Sequence, residues 1–179
     1  MAGPFPLWTP DKWKALQDAV GASDTDITNL TNATVRVVAQ SFVAIPNTGN
    51  TNENTLATVV IPANAIGING RVEIESIWST PNNANTKTVW VKFGGTALTN
   101  IAVTTSSTQQ LFSRVSNRGT TNSQVAAPVA LQTGSSGTAV TTMAIDTTAA
   151  VNVTFTAKCA VGTDTITLEG YSVKIVKGA

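Results

Sequence analysis

From Thr34 onward the chain runs as short alternating segments separated by turn clusters. Val151, Val153, Phe155, Ala157 and Cys159 alternate with Asn152, Thr154, Thr156 and Lys158. That period of two predicts a half-buried strand. Gly162-Thr163-Asp164 then forms a hairpin loop, and Thr165–Val176 is the returning strand. In Lys87–Phe93, Val89, Val91 and Phe93 share one face while Thr88, Trp90 and Lys92 share the other. Arg71–Trp78 begins with Val72 and Ile74 inward and Arg71, Glu73 and Glu75 outward. Further strands are expected at Thr34–Phe42, Thr55–Ile61, Ala97–Thr104, Gln109–Val115 and Thr138–Ile145. Val125–Leu131 contains Pro128, which limits it to an edge strand or a bulge. Pro81–Asn85, Gly94-Gly95 and Gly134–Gly137 read as turns. About nine or ten short strands spaced by about 8–12 residues predict an all-β fold, an antiparallel sandwich or barrel. No strand–helix alternation points to a parallel sheet.

Residues 1–22 follow a different period. Thr9 reads as a helix N-cap, Pro10 as the first helical residue and Asp11 as a first-turn acid. Trp13, Leu16, Gln17 and Val20 recur at helical spacing, and Gly21 is placed just past the end. A helix of about three turns is marginal alone and needs a surface to cover its apolar side. With Phe5, Leu7 and Trp8 it forms an aromatic arm, which packs on its own domain or docks on a neighbouring subunit or larger particle. Residues 23–33 read as a linker. The expected organisation is therefore an arm and linker over 1–33 and a β-sandwich over 34–179.

Composition sharpens this. Only 12% of the residues are charged, against about 25% in an average soluble protein. Thr alone supplies about a sixth of the chain. Thr is β-branched and suits a pleated, half-exposed surface. The net charge of +1 argues against nucleic-acid binding through a basic footprint. No apolar run approaches the roughly 18 residues of a membrane-spanning helix. The first residues carry no basic-then-apolar leader pattern. Asn29, Asn32 and Asn152 begin Asn-x-Thr triplets, expected by chance in so Asn- and Thr-rich a chain.

Candidate chemistry is sparse. The chain has no His, which removes imidazole bases and ligands. Its one Cys, Cys159, falls on the inward register and reads as a core thiol. Asp24 and Asp26 supply too few oxygens for calcium. Glu73, Glu75, Asp146, Asp164 and Glu169 are the carboxylates worth testing as a glycosidase pair, and Glu73 and Glu75 read as solvated charges on one strand face. No catalytic residue, cofactor or metal is expected. Trp78 and Trp90 are candidates for an interface or for stacking on a sugar, and Tyr171 is a third ring for such stacking. Arg114 and Arg118 are candidates for pairing with a neighbour's acid, such as Glu169 or Asp146.

Several stretches together resemble the β-domains of tailed-bacteriophage virion structural proteins, those of tail, fibre and head decoration. They are Val60–Gly70 leading into Arg71–Trp78, Asn82–Thr88 leading into Val91–Gly95, Val115–Gly119 through Asn122–Val125, and Asp164–Glu169 with the strand closing near Ile175. They span roughly residues 55–176. The resemblance implies a jelly-roll-like sandwich, assembly as a homotrimer and a non-enzymatic role in the virion. The arm, through Phe5, Leu7, Trp8, Trp13 and Leu16, would then anchor the protein to other virion proteins of capsid or tail. A receptor-binding adsorption protein that recognises host-surface glycan is the alternative.

Overall fold

A computed structural model describes residues 11–12, 14–21, 35–127 and 140–178. The chain divides into two units, residues 1–33 and 34–179. In the first, residues 11–12 and 14–21 are helical and exposed, and Gly21, expected beyond the helix end, is itself helical. Lys14 and Asp18 pair at 3.2 Å one turn apart, an exposed contact of little energetic weight. Phe5, Leu7, Trp8, Trp13, Asp24 and Asp26 lie outside the described residues, as do Pro128 and the turn at 134–137.

The second unit is an antiparallel β-sandwich. Its strands are β1 (Val35–Ser41), β2 (Ile45–Thr48), β3 (Asn54–Ile61), β4 (Arg71–Ser79), β5 (Lys87–Phe93), β6 (Thr96–Val103), β7 (Thr108–Asn117), β8 (Gln124–Ala126), β9 (Thr141–Met143), β10 (Val151–Cys159) and β11 (Thr165–Val176). One sheet has the order β1-β11-β4-β7-β8-β9, with β2 also paired to β11, and the other has the order β3-β10-β5-β6. Every pairing is antiparallel. With β1 and β2 counted as one interrupted strand, this is the jelly-roll order of two four-stranded sheets. The short strands β8 and β9 extend the first sheet beyond β7.

The interruption has a local cause. β2 pairs with Thr165–Leu168, and β1 pairs with Tyr171–Val176. Between them β11 shifts register against β4 at Leu168/Gly170. A Cβ on Gly170 would lie 2.5 Å from Phe42 Cδ1 and 3.0 Å from the Ser41 carbonyl oxygen. A larger residue at 170 would push the Phe42 ring aside and crowd the Ser41 carbonyl where the chain leaves the sheet.

Inward alternation builds the core. β4 buries Val72, Ile74, Ser76 and Trp78, while β5 buries Lys87, Val89, Val91 and Phe93. β10 contributes Val151, Val153, Phe155, Ala157 and Cys159. Phe155 stacks on Tyr171 with ring centroids 4.8 Å apart, so the half-buried Tyr171 ring packs against the core. Ser76 breaks the apolar alternation yet points inward, where its Oγ accepts the Trp78 indole N–H at 2.9 Å. At one end of the sandwich Gln124 donates to Asn117 Oδ1 and to the Ile145 carbonyl, each at 2.9 Å, and Asn117 donates to Thr147 Oγ1 at 3.0 Å. Asn117 thus belongs to a buried polar clasp.

Candidate functional site

The sandwich has two outer faces, and the strand pleat decides what each presents. On the four-stranded sheet β5 is an inner strand, and Trp90 is its fourth residue of seven, on the outward register. Register sets Trp90 beside Thr156 of β10 and Asn100 of β6. Thr88 and Lys92 flank it along the strand. Lys92 Nζ stands 5.7 Å from the Trp90 ring centroid. The same ammonium donates to Glu53 Oε1, which also accepts the Thr156 hydroxyl at 2.6 Å. The Lys92 bond, then the Thr156 bond, hold the Glu53 carboxyl below the usual carboxylate range, against the opposing effect of burial. Trp90 is half-buried among its neighbours on this face.

The seven-stranded sheet presents a different surface. Arg71, Glu73, Glu75 and Ile77 of β4 face outward beside Gln110, Phe112 and Arg114 of β7. Glu73 Oε1 accepts Arg71 Nε at 2.8 Å and lies 3.2 Å from Arg114 Nη2. The Arg71 hydrogen bond is the main cause that lowers the Glu73 carboxyl. Gln110 donates to Glu75 at 2.9 Å. The Arg114 guanidinium stands 5.6 Å from the Phe112 ring centroid. Phe42, Glu75, Ile77, Gly170 and Ser172 line a shallow groove on this face. Phe42 is 68% exposed and Phe112 52% exposed. The buried Ser172 Oγ beside them has no hydrogen-bond partner among the described residues.

The residues singled out from the sequence therefore separate. Trp78 has no exposed surface, because the pleat carries it inward with Val72 and Ile74. It cannot serve as a sugar platform or a subunit contact. Trp90 stays on the surface, and Arg114 lies on the opposite outer face. Arg114 pairs within its own chain, with Glu73. Arg118 is exposed in the loop after β7. Leu16 is 44% exposed on the helix.

The carboxylates are dispersed among structural duties. Glu169 accepts from Ser79, Asp146 accepts from Thr148 N at 2.9 Å, and Asp164 accepts from Asn83 Nδ2 at 2.8 Å. No group of three His, Cys, Asp or Glu side chains suited to a metal ion occurs among the described residues. Cys159 is buried, and burial, then the nearby Asp164 charge, raise its thiol above the ordinary range. A thiol so placed is a poor nucleophile.

Phe112 is a further surface residue, and its outward place is legible in the alternation of Leu111, Ser113 and Val115. Phe42, Glu53 and Ser172 matter through contacts between distant segments and leave no local signal in the sequence.

Fold and surface together define a jelly-roll sandwich whose two outer faces differ in chemistry. No protein-family model matches the chain, and no curated protein matches it. Among solved structures it is similar to the CBM2 module of the evolved Dit of Lactobacillus casei BL23 phage J-1. That likeness has 10% identity and a TM-score of 0.33, covering 75% of this chain and 77% of the other. It is also similar to a structure of infectious bursal disease virus Gx strain, with 14% identity and a TM-score of 0.23. There it covers 80% of this chain and 40% of the other, so it spans less than half of that protein. Likenesses this distant carry nothing about what the chain does.

Proposed function

We propose that this chain is a non-enzymatic structural component of a phage virion that assembles as a homotrimer through the outer face of its seven-stranded sheet. The virion placement rests on the resemblance of residues 55–176 to tailed-phage β-domains. The assembly reading is carried by one observation: two phenylalanines, Phe42 and Phe112, stand exposed on a sheet face that also bears Arg71, Arg114, Lys174, Glu73 and Glu75. Phe42 and Phe112 both border Glu75 and Ser172 and so make one exposed apolar patch, the kind of surface that marks an interaction site. Charges of both signs on the same surface let like copies approach without net repulsion.

The N-terminal unit supplies the anchor in this reading. Leu16 and Val20 lie one helical turn apart and are both exposed, which supports a helix that buries its apolar side on another virion protein.

The test is the solution mass of the full chain by light scattering, with Phe42→Ser/Phe112→Ser beside it. A trimer in the parent and a folded monomer in the double variant are expected. A parent that is monomeric, or a variant that is still trimeric, overturns assembly through this face. Trp13→Ala should lower incorporation into particles while leaving the sandwich folded.

A further inference from the structure

We propose that the opposite face, centred on Trp90, binds one pyranose ring of a neutral, all-equatorial glycan. This inference is independent of the assembly reading, since it concerns the other sheet.

The core does not require this indole. β5 already delivers Val89, Val91 and Phe93 inward, and an outward Thr at position 90 would suit the strand equally. Instead the largest side chain type occupies the middle of the sheet face. Across the ladder it meets Thr156 and Asn100, and along the strand Thr88 and Lys92, whose Nζ stands over the ring 5.7 Å from its centroid. Beyond these lie Asn152, Thr154, Thr58 and Ala102, all short. Trp90 is therefore half-buried among short, mostly polar side chains, with the Lys92 ammonium over part of its ring.

That combination matches the two-sided chemistry of a sugar. A pyranose with equatorial hydroxyls turns axial C–H groups toward its faces and its hydroxyls toward its rim. The part of the electron-rich indole face that Lys92 leaves open takes the C–H side. The rim needs donors and acceptors set a few ångströms to the side, held before binding so that little ordering cost remains. Glu53 meets that need. Both of its bonds, from Lys92 and Thr156, go to Oε1. A carboxylate has about four acceptor sites over two oxygens, so Oε2 is left to take sugar hydroxyls. Asn100, exposed on the other side of the ring, offers an amide.

Charge selects the class of ligand. Lys92 and Glu53 cancel one another, and Lys158 beside Thr88 is the remaining charge at this end of the face. One distant ammonium is too little to make an anion site. The face is suited to a neutral chain of β-linked glucose or N-acetylglucosamine.

The experiment is a nuclear magnetic resonance titration of the full chain with cellohexaose and with chitohexaose, following the Trp90 indole N–H signal. Trp90→Phe identifies that signal. At least one hexasaccharide should shift it saturably, with Kd of about 0.1–1 mM, typical of a site with a single aromatic platform. Trp90→Ala should weaken binding by about 10-fold or more, and Glu53→Gln should weaken it severalfold. Thr120→Ala, in the exposed loop after β7, should bind as the parent does. Thermal unfolding of each variant verifies that the sandwich is intact. Absence of any shift at about 10 mM of both sugars, or equal affinity in Trp90→Ala, overturns the proposal.

Discussion

Lys87 donates its ammonium to the side-chain oxygen of Asn83 at 2.8 Å, at a point where Lys87 has no exposed surface. The same Asn83 gives its amide N–H to Asp164 at 2.8 Å. One neutral side chain thus spans a buried cation and a buried carboxylate and ties the loop before β5 to the β10–β11 hairpin. The carbonyl oxygens of Asn83 and Thr104 take the other ammonium bonds. Removing the bridge leaves a buried charge short of partners. Asn83→Ala should cost about 3–5 kcal/mol, whereas Lys87→Met, which removes the charge and keeps the stem, should cost less. Urea unfolding of both variants tests the order, and an Asn83→Ala protein within about 1 kcal/mol of the parent would refute the bridge.

Acid should weaken the fold through two carboxylates in particular. Glu53 and Glu73 are both lowered from an ordinary value of 4.5 by their basic partners. Their stabilisation is fully present above that value and disappears as pH falls through the lowered folded value. The Glu53 side chain is more than a third exposed, so solvent screens its contribution to under about 1 kcal/mol at neutral pH. Urea midpoints measured from about pH 5 to about pH 2.5 should fall less steeply in Glu53→Gln/Glu73→Gln than in the parent. Parallel curves would mean that other carboxylates govern the acid limb.

Trp78 and Ser76 make a paired prediction in the core. Trp78→Ala deletes the largest buried side chain and should cost about 3–5 kcal/mol. Ser76→Ala leaves the indole N–H without its acceptor and should cost about 1–3 kcal/mol. A Ser76→Ala protein as stable as the parent would show that the indole N–H finds another acceptor.

Cys159 should be silent toward thiol reagents until the protein opens. Its Sγ lies 3.4 Å from the Asp164 carbonyl oxygen, and the group is buried. Labelling at mildly alkaline pH should be at least about 100-fold slower than in denaturant. Comparable rates would mean that the hairpin end opens locally.

Much of this is legible in the amino-acid sequence. The boundaries of β5, β10 and β11 agree with the segments their alternation marks out, and Trp90 falls outward as its register requires. Four-residue β2 was not legible. It contains Pro46 and has no apolar alternation, and it is a strand because Thr165–Leu168 offers an edge to pair with. Trp78 was ambiguous because Ser76 interrupts the apolar pattern before it. Only the hydrogen bond between those two residues explains why a serine is tolerated inside.

The sequence by itself determined the class of fold and the two sides of most strands, because a pleat with period two is a property of the local backbone. Tertiary structure decided which strands are neighbours, and hence the jelly-roll order that resemblance alone had implied. It also decided which distant polar groups meet: Glu53 with Lys92, Asn83 with Asp164, and Arg114 with Glu73. Those contacts join segments tens of residues apart. They exist because all inward faces must bury together in one core, and no stretch of sequence carries that condition alone.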